Sequence, residues 1–137
     1  MEVRMIGGQE LSEKWYLIKD LVERSLVHGT GDTSAYDLFI ECLQAISQCW
    51  IREDEYGTIH GIAMTRVLTH KQYKECVIVC TTSEGWFEHG PDILDLIENF
   101  ARGMDCKYTS VYGRKGWARA LEKYGYKEPF TTLMKEL

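Results

Sequence analysis

The spacing of apolar residues in the first third of the chain predicts two helices behind a short strand. Val3–Ile6 is the strand candidate. Apolar side chains then recur at intervals of three and four over Leu11–Val27, which is the period of an amphipathic helix. Ser34, followed by Asp37 three residues later, resembles a capping box and predicts a second helix that runs to about Ser47.

Downstream of the second helix, the pattern changes to the alternation and short apolar runs typical of strands. Three strands are predicted, over Cys49–Arg52, Thr58–Leu68 and Glu75–Thr82. Gly57 lies in the turn between the first two and is available for a positive φ angle. The third strand is continuously apolar at its centre, which predicts a place in the interior of a sheet.

Helical and strand patterns alternate again in the last third of the chain. Gly90-Pro91-Asp92 predicts the start of a helix, because proline suits the first helical position. The buried stripe predicted for this helix is Ile93, Ile97, Phe100 and Met104. The remaining predicted elements are a strand at Tyr108–Tyr112, a helix at Arg114–Tyr124 and a closing strand at Tyr126–Met134.

The resulting element order is β-α-α-β-β-β-α-β-α-β. A strand meander followed by two crossover helices predicts an α/β (mixed α+β) fold, with a central mixed sheet flanked by helices on both faces. A chain of 137 residues has the length of one domain, so residues 1–137 are expected to form a single one.

Composition and cysteine usage narrow the protein class. Apolar residues make up 45% and charged residues 27% of the chain, which excludes disordered and fibrous classes. The longest uninterrupted apolar run is Cys76–Cys80, far short of the roughly 20 residues of a membrane span. The first residues lack the order of a signal peptide. We therefore expect a soluble, cytosolic-type protein without a membrane partner.

The five cysteines predict free thiols and no metal site. Their number is odd and they form no close pairs, which argues against a disulfide framework and favours small buried side chains. Cys76 and Cys80 are expected on one face of a strand, about 13 Å apart, which is too far for a bond or a shared metal. The four histidines have no metal-ligand spacing with a cysteine.

Charge is distributed unevenly along the chain. The net charge is −5, which speaks against general nucleic-acid binding. Residues 1–100 contain 8 Lys/Arg against 17 Asp/Glu, whereas residues 101–137 contain 8 against 4. The net charges of −9 and +4 predict a basic face at the C-terminal end, suited to an anionic partner, or alternatively a merely solvated surface.

Three stretches resemble small GNAT-like (N-acetyltransferase-fold) proteins encoded by bacteriophages and prophages. They are QCWIREDEYGTIHGIAMT, VIVCTTSEGW and the C-terminal YGRKGWARALEKYGYKEPFTTLMKEL. The predicted element order also matches the GNAT fold over essentially the whole chain. The resemblance implies a phage origin and a place in the host cytoplasm or the virion, but no definite activity, since most such proteins have no assigned function.

The loop that follows the third meander strand departs from the pattern of active GNAT enzymes. There, (Q/R)xxGx(G/A) presents main-chain N–H groups to the pyrophosphate of acetyl-CoA. Here residues 83–90 are SEGWFEHG, and Gly85, His89 and Gly90 would be the cofactor-binding residues if acetyl-CoA binds. The glycine spacing differs, and three acidic residues within 84–92 repel an anion. The resemblance therefore favours no cofactor, with acetyl-CoA as the alternative.

The general-acid tyrosine of active members is also missing from its position. Aligning Gly125-Tyr126 with the glycine-aromatic pair of the family places Arg114 at the usual asparagine and Leu121 at the usual tyrosine. Tyr124 points another way on the predicted helix and is expected to be a core aromatic residue. No catalytic residue is assigned.

The helix predicted at Arg114–Tyr124 divides into an apolar and a basic face. Trp117, Leu121 and Tyr124 are expected to be buried. The predicted partner-binding residues are Arg114, Lys115, Arg119 and Lys123. This basic stripe suits an acidic protein surface or phosphates, and a solvated face is the alternative.

Two functional hypotheses follow from the sequence. The first is a non-catalytic virion or assembly protein that contacts other phage proteins or an anionic protein surface, with self-association left open. It expects no sequence-specific nucleic-acid partner. The second is an acyl-CoA-dependent N-acetyltransferase with an altered pyrophosphate loop.

Overall fold

The computed structural model describes residues 1–27, 31–82, 86–113 and 115–137, with the main chain alone at 86–90 and 115. The elements are β1 (Glu2–Ile6), α1 (Gly8–Leu26), α2 (Ala35–Leu43), β2 (Ser47–Glu53), β3 (Ile59–Thr69), β4 (Lys74–Thr81), α3 (Trp86–Gly103), β5 (Tyr108–Val111) and α4 (Lys115–Leu121). A single 3₁₀ turn, Glu122–Tyr124, follows α4.

The five strands form one mixed sheet in the order β1-β2-β3-β4-β5. The first four strands pair with one another in antiparallel orientation, whereas β5 is parallel to β4. A parallel neighbour requires a crossover connection, which α3 supplies. The prediction that the continuously apolar third meander strand lies inside the sheet is confirmed, because β4 separates β3 from β5.

Two hydrophobic cores, one on each face of the sheet, hold the helices in place. On one face, Leu11 and Ile18 of α1 and Leu38 of α2 pack with Ile51 of β2. On the other face, residues of α3 and α4 pack with Trp50 of β2. Neighbouring residues of β2 thus enter different cores, which explains why this strand is apolar on both faces.

The connections around α2 follow partly from the sequence. The capping box of Ser34 and Asp37 is present, as predicted. The helix ends at Leu43, earlier than the predicted end near Ser47. Ala45 takes a positive φ of 60°, and the chain enters β2 at Ser47. Gly57 has the expected positive φ, 82°.

The predicted start of the third long helix is wrong. It begins at Trp86, and Pro91 lies inside it. The φ angle of proline, near −65°, is compatible with helical backbone, so Pro91 removes one N–H donor from the helix instead of starting it.

The buried stripe of α3 also differs from its prediction. Ile93 and Ile97 are buried as expected, but Phe100 is half-buried and Met104 is 40% exposed. Met104 lies beyond the helix end at Gly103. The buried positions of the helix are Ile93, Leu94, Ile97 and Ala101.

The closing strand predicted at Tyr126–Met134 is not formed. The structure assigns no strand to the described residues after β5, and residues 127–137 are all exposed. The preceding helix is also shorter than the predicted Arg114–Tyr124, because helical geometry tightens into the 3₁₀ turn after Leu121. β5 is therefore the last strand along the described chain, and it forms one edge of the sheet.

A β-bulge in β4 changes which side chains face which core. Met64 pairs with Cys80 and Thr65 pairs with Ile78, so Val79 is the extra residue. The bulge places Cys80 in the core beside α1, whereas Cys76 lies in the core beside α3. The expectation that Cys76 and Cys80 share a face is therefore wrong.

The prediction of free thiols is confirmed, since all five cysteines are unpaired with one another. Burial raises the pKa of Cys76 to about 11 and those of Cys42 and Cys80 to about 12. These thiols are protonated at neutral pH and behave as small apolar side chains.

An ion-pair network joins β1, α1 and β2 at the edge of the sheet. Arg4 bonds to Glu10 and, at 3.1 Å, to Glu53. The Lys14 ammonium lies 2.6 Å from Glu10 and 2.7 Å from Glu53. Hydrogen bonds from Arg4 and then Lys14 lower the pKa of the Glu10 carboxyl to about 2.

Acid should weaken the fold through Glu10. In the unfolded chain, the Glu10 carboxyl has a pKa near 4.5 and is protonated below that pH. In the folded protein, the same carboxyl stays ionised down to about pH 2. The stabilisation is complete above about pH 4.5 and is lost as the pH falls towards 2. The free energy of unfolding should therefore fall less with acid in Glu10→Gln than in the wild type, by about 1–2 kcal/mol. Urea unfolding at several pH values measures this difference.

Glu23→Gln, which removes a carboxylate from the exposed part of α1, is the matched control and should keep the wild-type dependence. An identical pH slope in wild type and Glu10→Gln would contradict this role of the network.

Candidate functional site

The parallel strands β4 and β5 separate at one end of the sheet. They pair only between Glu75–Ile78 and Tyr108–Val111. Within the described residues, the hydrogen bond from the Tyr112 amide to the Ile78 carbonyl, 3.2 Å, is the last between the two segments, and β4 continues to Thr81. In open α/β sheets ligands bind at the carboxyl ends of the strands, so this divergence is the candidate site.

The bulge at Val79 shapes the β4 side of the divergence. Because it reverses the alternation, Thr81 lies against the α3 side of the sheet together with Ile78. The Thr81 hydroxyl donates to the Ile62 carbonyl at 3.1 Å, and the Thr82 amide donates to the same carbonyl at 3.0 Å. These bonds hold the end of β4 against β3.

Apolar side chains fill the space between the separating strands. A void of about 10 Å³ remains there, at the lower limit of what one water molecule needs. Leu121 of α4 is 3% exposed and closes the void from the helix side. The lining residues are Ala63, Ile78, Thr81, Ile93, Leu94, Ile97, Val111, Trp117 and Leu121.

Trp117 is held over the end of β5 by its contact with Gly113. A Cβ atom placed on Gly113 would lie 2.5 Å from Cδ1 of Trp117, so the indole occupies the space that a larger residue would take.

The predictions that Leu121 and Trp117 face the core are confirmed, with Trp117 half-buried. Tyr124 is 37% exposed, so its assignment as a core aromatic residue is wrong. The 3₁₀ turn moves it off the apolar face.

A buried cation that the sequence analysis missed lies on the same side of the sheet. Arg52 of β2 is 3% exposed, and its Nη1 lies 2.9 Å from the position of a Cβ on Gly61. Burial lowers its pKa, and the charge of Asp92 opposes that shift. A charged residue in an apolar strand opposite a glycine was the sequence signal for this site.

Two tyrosines, Tyr124 and Tyr126, lie in the part of the chain that follows α4. The Tyr126 hydroxyl donates to Glu98 at 2.8 Å, and burial together with the Glu98 carboxylate raises its pKa. The Lys123 ammonium lies 5.2 Å from the centre of the Tyr124 ring. The hydrogen bond between Tyr126 and Glu98 therefore connects the chain after α4 to α3.

The predicted cofactor-binding residues belong to a part of the chain with little description. Gly85 lies outside the described residues. His89 and Gly90 are within α3, and only their main chain is described. Their binding of acetyl-CoA stays a prediction.

The predicted partner-binding residues are described in part. Arg114 lies outside the described residues and Lys115 is described by its main chain alone. Arg119 and Lys123 are exposed. Because Lys123 lies in the 3₁₀ turn, the stripe does not continue with α-helical spacing beyond Leu121.

Among the residues that the structure describes, no three His, Cys, Asp or Glu side chains form a group that could hold a metal ion. No helix in those same ranges is long and apolar enough to cross a membrane.

No protein-family model matches this sequence, and neither does any curated protein. Solved structures do match over nearly the whole chain. A GNAT family acetyltransferase from Staphylococcus aureus has a TM-score of 0.68 at 17% identity, covering 99% of this chain and 98% of its own.

Two further acetyltransferases have the same architecture. Glucosamine-6-phosphate N-acetyltransferase from Arabidopsis thaliana has a TM-score of 0.70 at 14% identity, with coverage of 98% and 97%. An acetyltransferase from Trypanosoma brucei has a TM-score of 0.69 at 14% identity, with 99% of both chains covered. At these identities the likeness shows the fold alone. The chain has the GNAT acetyltransferase fold, as predicted.

Proposed function

We propose that this chain is a GNAT-fold protein that works by binding a protein partner and does not transfer acyl groups. The observation that carries the proposal is the filled divergence between β4 and β5. Trp117 and Leu121 occupy the gap and leave a void of about 10 Å³. The resemblance to GNAT enzymes supports the proposal, because it aligns Leu121 with their general-acid tyrosine, and a leucine side chain cannot donate a proton.

The partner we propose is another phage protein with an acidic surface, met in the host cytoplasm or in the virion. The resemblance of the C-terminal stretch to small phage-encoded proteins supports this setting. The charge distribution supports the choice of surface, because residues 101–137 carry a net charge of +4 on a chain whose total is −5.

Calorimetry with acetyl-CoA tests the absence of acyl transfer. We expect no heat beyond dilution at acetyl-CoA concentrations up to about 1 mM, with a folded protein verified by circular dichroism. Micromolar binding would contradict the proposal.

A second candidate function is an acyl-CoA-dependent N-acetyltransferase, with acetyl-CoA held by Gly85, His89 and Gly90. The observation that favours it is the β4 bulge at Val79 beside the divergence of β4 from β5, since bulges often re-aim residues next to active sites. It requires the Trp117 side chain to leave the gap on binding. Acyl transfer from acetyl-CoA to an amine would decide for this candidate.

The basic stripe can be tested separately through Arg119 and Lys123. Arg119→Gln combined with Lys123→Gln should weaken binding to immobilised poly-glutamate by about three- to tenfold, because two exposed contacts each contribute about 0–1 kcal/mol. Binding of the wild-type protein should fade as salt rises. The matched control is Lys19→Gln with Lys71→Gln, which removes the same charge from other exposed positions.

If the two double variants bind poly-glutamate with the same affinity as each other, any loss of binding is due to net charge alone. Arg119 and Lys123 are then merely solvated. Reduced binding by the first variant alone would support these residues as the docking face.

A further inference from the structure

The outer edge of β1 is open to another strand. β1 ends the sheet on the side away from β5, and its one strand neighbour among the described residues is β2. Antiparallel pairing uses alternate residues of an edge strand, so half of the main-chain groups of β1 point away from β2. Such an edge is a template for a further strand. The side chains on the two faces of β1 decide what can pair there.

The side chains of β1 divide into an apolar and a charged face. Val3 packs against the core beside α3, and the alternation of a strand sets Met1 and Met5 on the same side. These two methionines are 65% and 48% exposed, so apolar surface remains at this edge. Glu2 and Arg4 lie on the α1 side, and Nε of Arg4 is 3.1 Å from the Glu2 carboxylate. The Glu2 side chain is 68% exposed and therefore accessible to a second cation.

The charges of β1 select one register for pairing with a second copy of the same strand. In an antiparallel ladder outward-facing residues must meet outward-facing residues, so in a two-fold pair one residue lies opposite its own copy. A ladder centred on Glu2 or on Arg4 sets like charges opposite each other, which is destabilising. A ladder centred on Met5 leaves Glu2 without a partner in the strand. Centring on Val3 sets Glu2 opposite Arg4 of the other copy, and does so twice.

We propose that two copies of this chain associate through antiparallel β1 strands centred on Val3, which joins their two five-stranded sheets into one continuous sheet. On one face Val3 meets its own copy and Met1 meets Met5. On the other face each Glu2 carboxylate gains the Arg4 guanidinium of the other copy. Both copies use the same surface, so the contact closes as a dimer. It covers both β1 edges and shields the methionine side chains from water.

Sedimentation between about 1 μM and about 1 mM protein tests the association, and we expect the wild type to dimerise in this range. Glu2→Lys should raise the dimer dissociation constant by about tenfold or more, because two opposite-charge pairs become like-charge pairs. Glu136→Lys is the matched control, since it makes the same charge change at an exposed position after β5. A wild-type monomer at every concentration would overturn the proposal. A dimer that Glu2→Lys leaves unchanged, or that both variants weaken equally, would overturn it as well.

A cysteine cross-link tests the register. With oxidised glutathione, Val3→Cys should form a covalent dimer, because the two copies of this position lie directly opposite each other, within the reach of a disulfide. Met5→Cys is the matched control on the same face, since its two copies would lie about 13 Å apart along the strands. Mass spectrometry locates the linked residues, and circular dichroism verifies folding. Equal or faster cross-linking of Met5→Cys, or no link through position 3, would refute the register and the proposal.

Discussion

Ile97→Ala is expected to lower the free energy of unfolding by about 3 kcal/mol. Ile97 is 1% exposed and belongs to the core between α3 and the sheet, beside Trp50 and Leu121. The substitution removes buried methyl groups and leaves a cavity, because the surrounding strands cannot collapse into it. Urea unfolding followed by fluorescence measures the change.

Leu96→Ala is the control on the same helix. Leu96 precedes Ile97 but is 36% exposed, so it should cost less than about 1 kcal/mol. Equal losses in the two variants would mean that the face of α3 carrying Ile97 is not its core face.

Trp50→Ala is expected to destabilise the protein by about 4 kcal/mol, by the same urea measurement. Trp50 is 4% exposed, and its ring meets Phe100 edge-on with the centres 5.5 Å apart. Its indole N–H donates to the Thr65 hydroxyl at 3.0 Å. Truncation to alanine removes the ring contacts and the hydrogen bond together, and leaves a large cavity.

Trp50→Phe separates these contributions. It keeps an aromatic ring beside Phe100, and the Thr65 hydroxyl still donates to Gln48 at 2.8 Å. A loss of about 1–2 kcal/mol is therefore expected. If Trp50→Phe costs as much as Trp50→Ala, the hydrogen bond to Thr65 and not the ring dominates.

Together, Ile97 and Trp50 test the core between α3 and the sheet. Ile97 also lines the filled divergence between β4 and β5. The variants should therefore be compared at equal folded fraction before partner binding is assayed, because a partly unfolded population lowers apparent affinity.

Local signals in the sequence were sufficient for most of the secondary structure. The period of α1, the capping box at Ser34 and the positive φ of Gly57 depend on residues that are neighbours along the chain, so they could be predicted without tertiary contacts. The apolar centre of β4 predicted its interior place for the same reason. The GNAT fold followed from the order of these elements.

The candidate site was predictable only in part. Leu121 and Trp117 were expected to face the core because their helical spacing sets them on one side, and the structure agrees. The burial of Arg52 was missed, because a charge inside a strand becomes buried only when an opposing helix covers that face. Its place beside Gly61 depends on the pairing of β2 with β3.

The sequence by itself determined the element types, their order and the apolar faces of most helices, since these arise from propensity and periodicity. Only the tertiary structure decided the bulge at Val79, which separates Cys76 from Cys80, and the helical geometry around Pro91. It also left the residues after Tyr126 unpaired despite their strand pattern. Strand pairing needs a partner edge, and which edge is within reach depends on where the preceding helix delivers the chain.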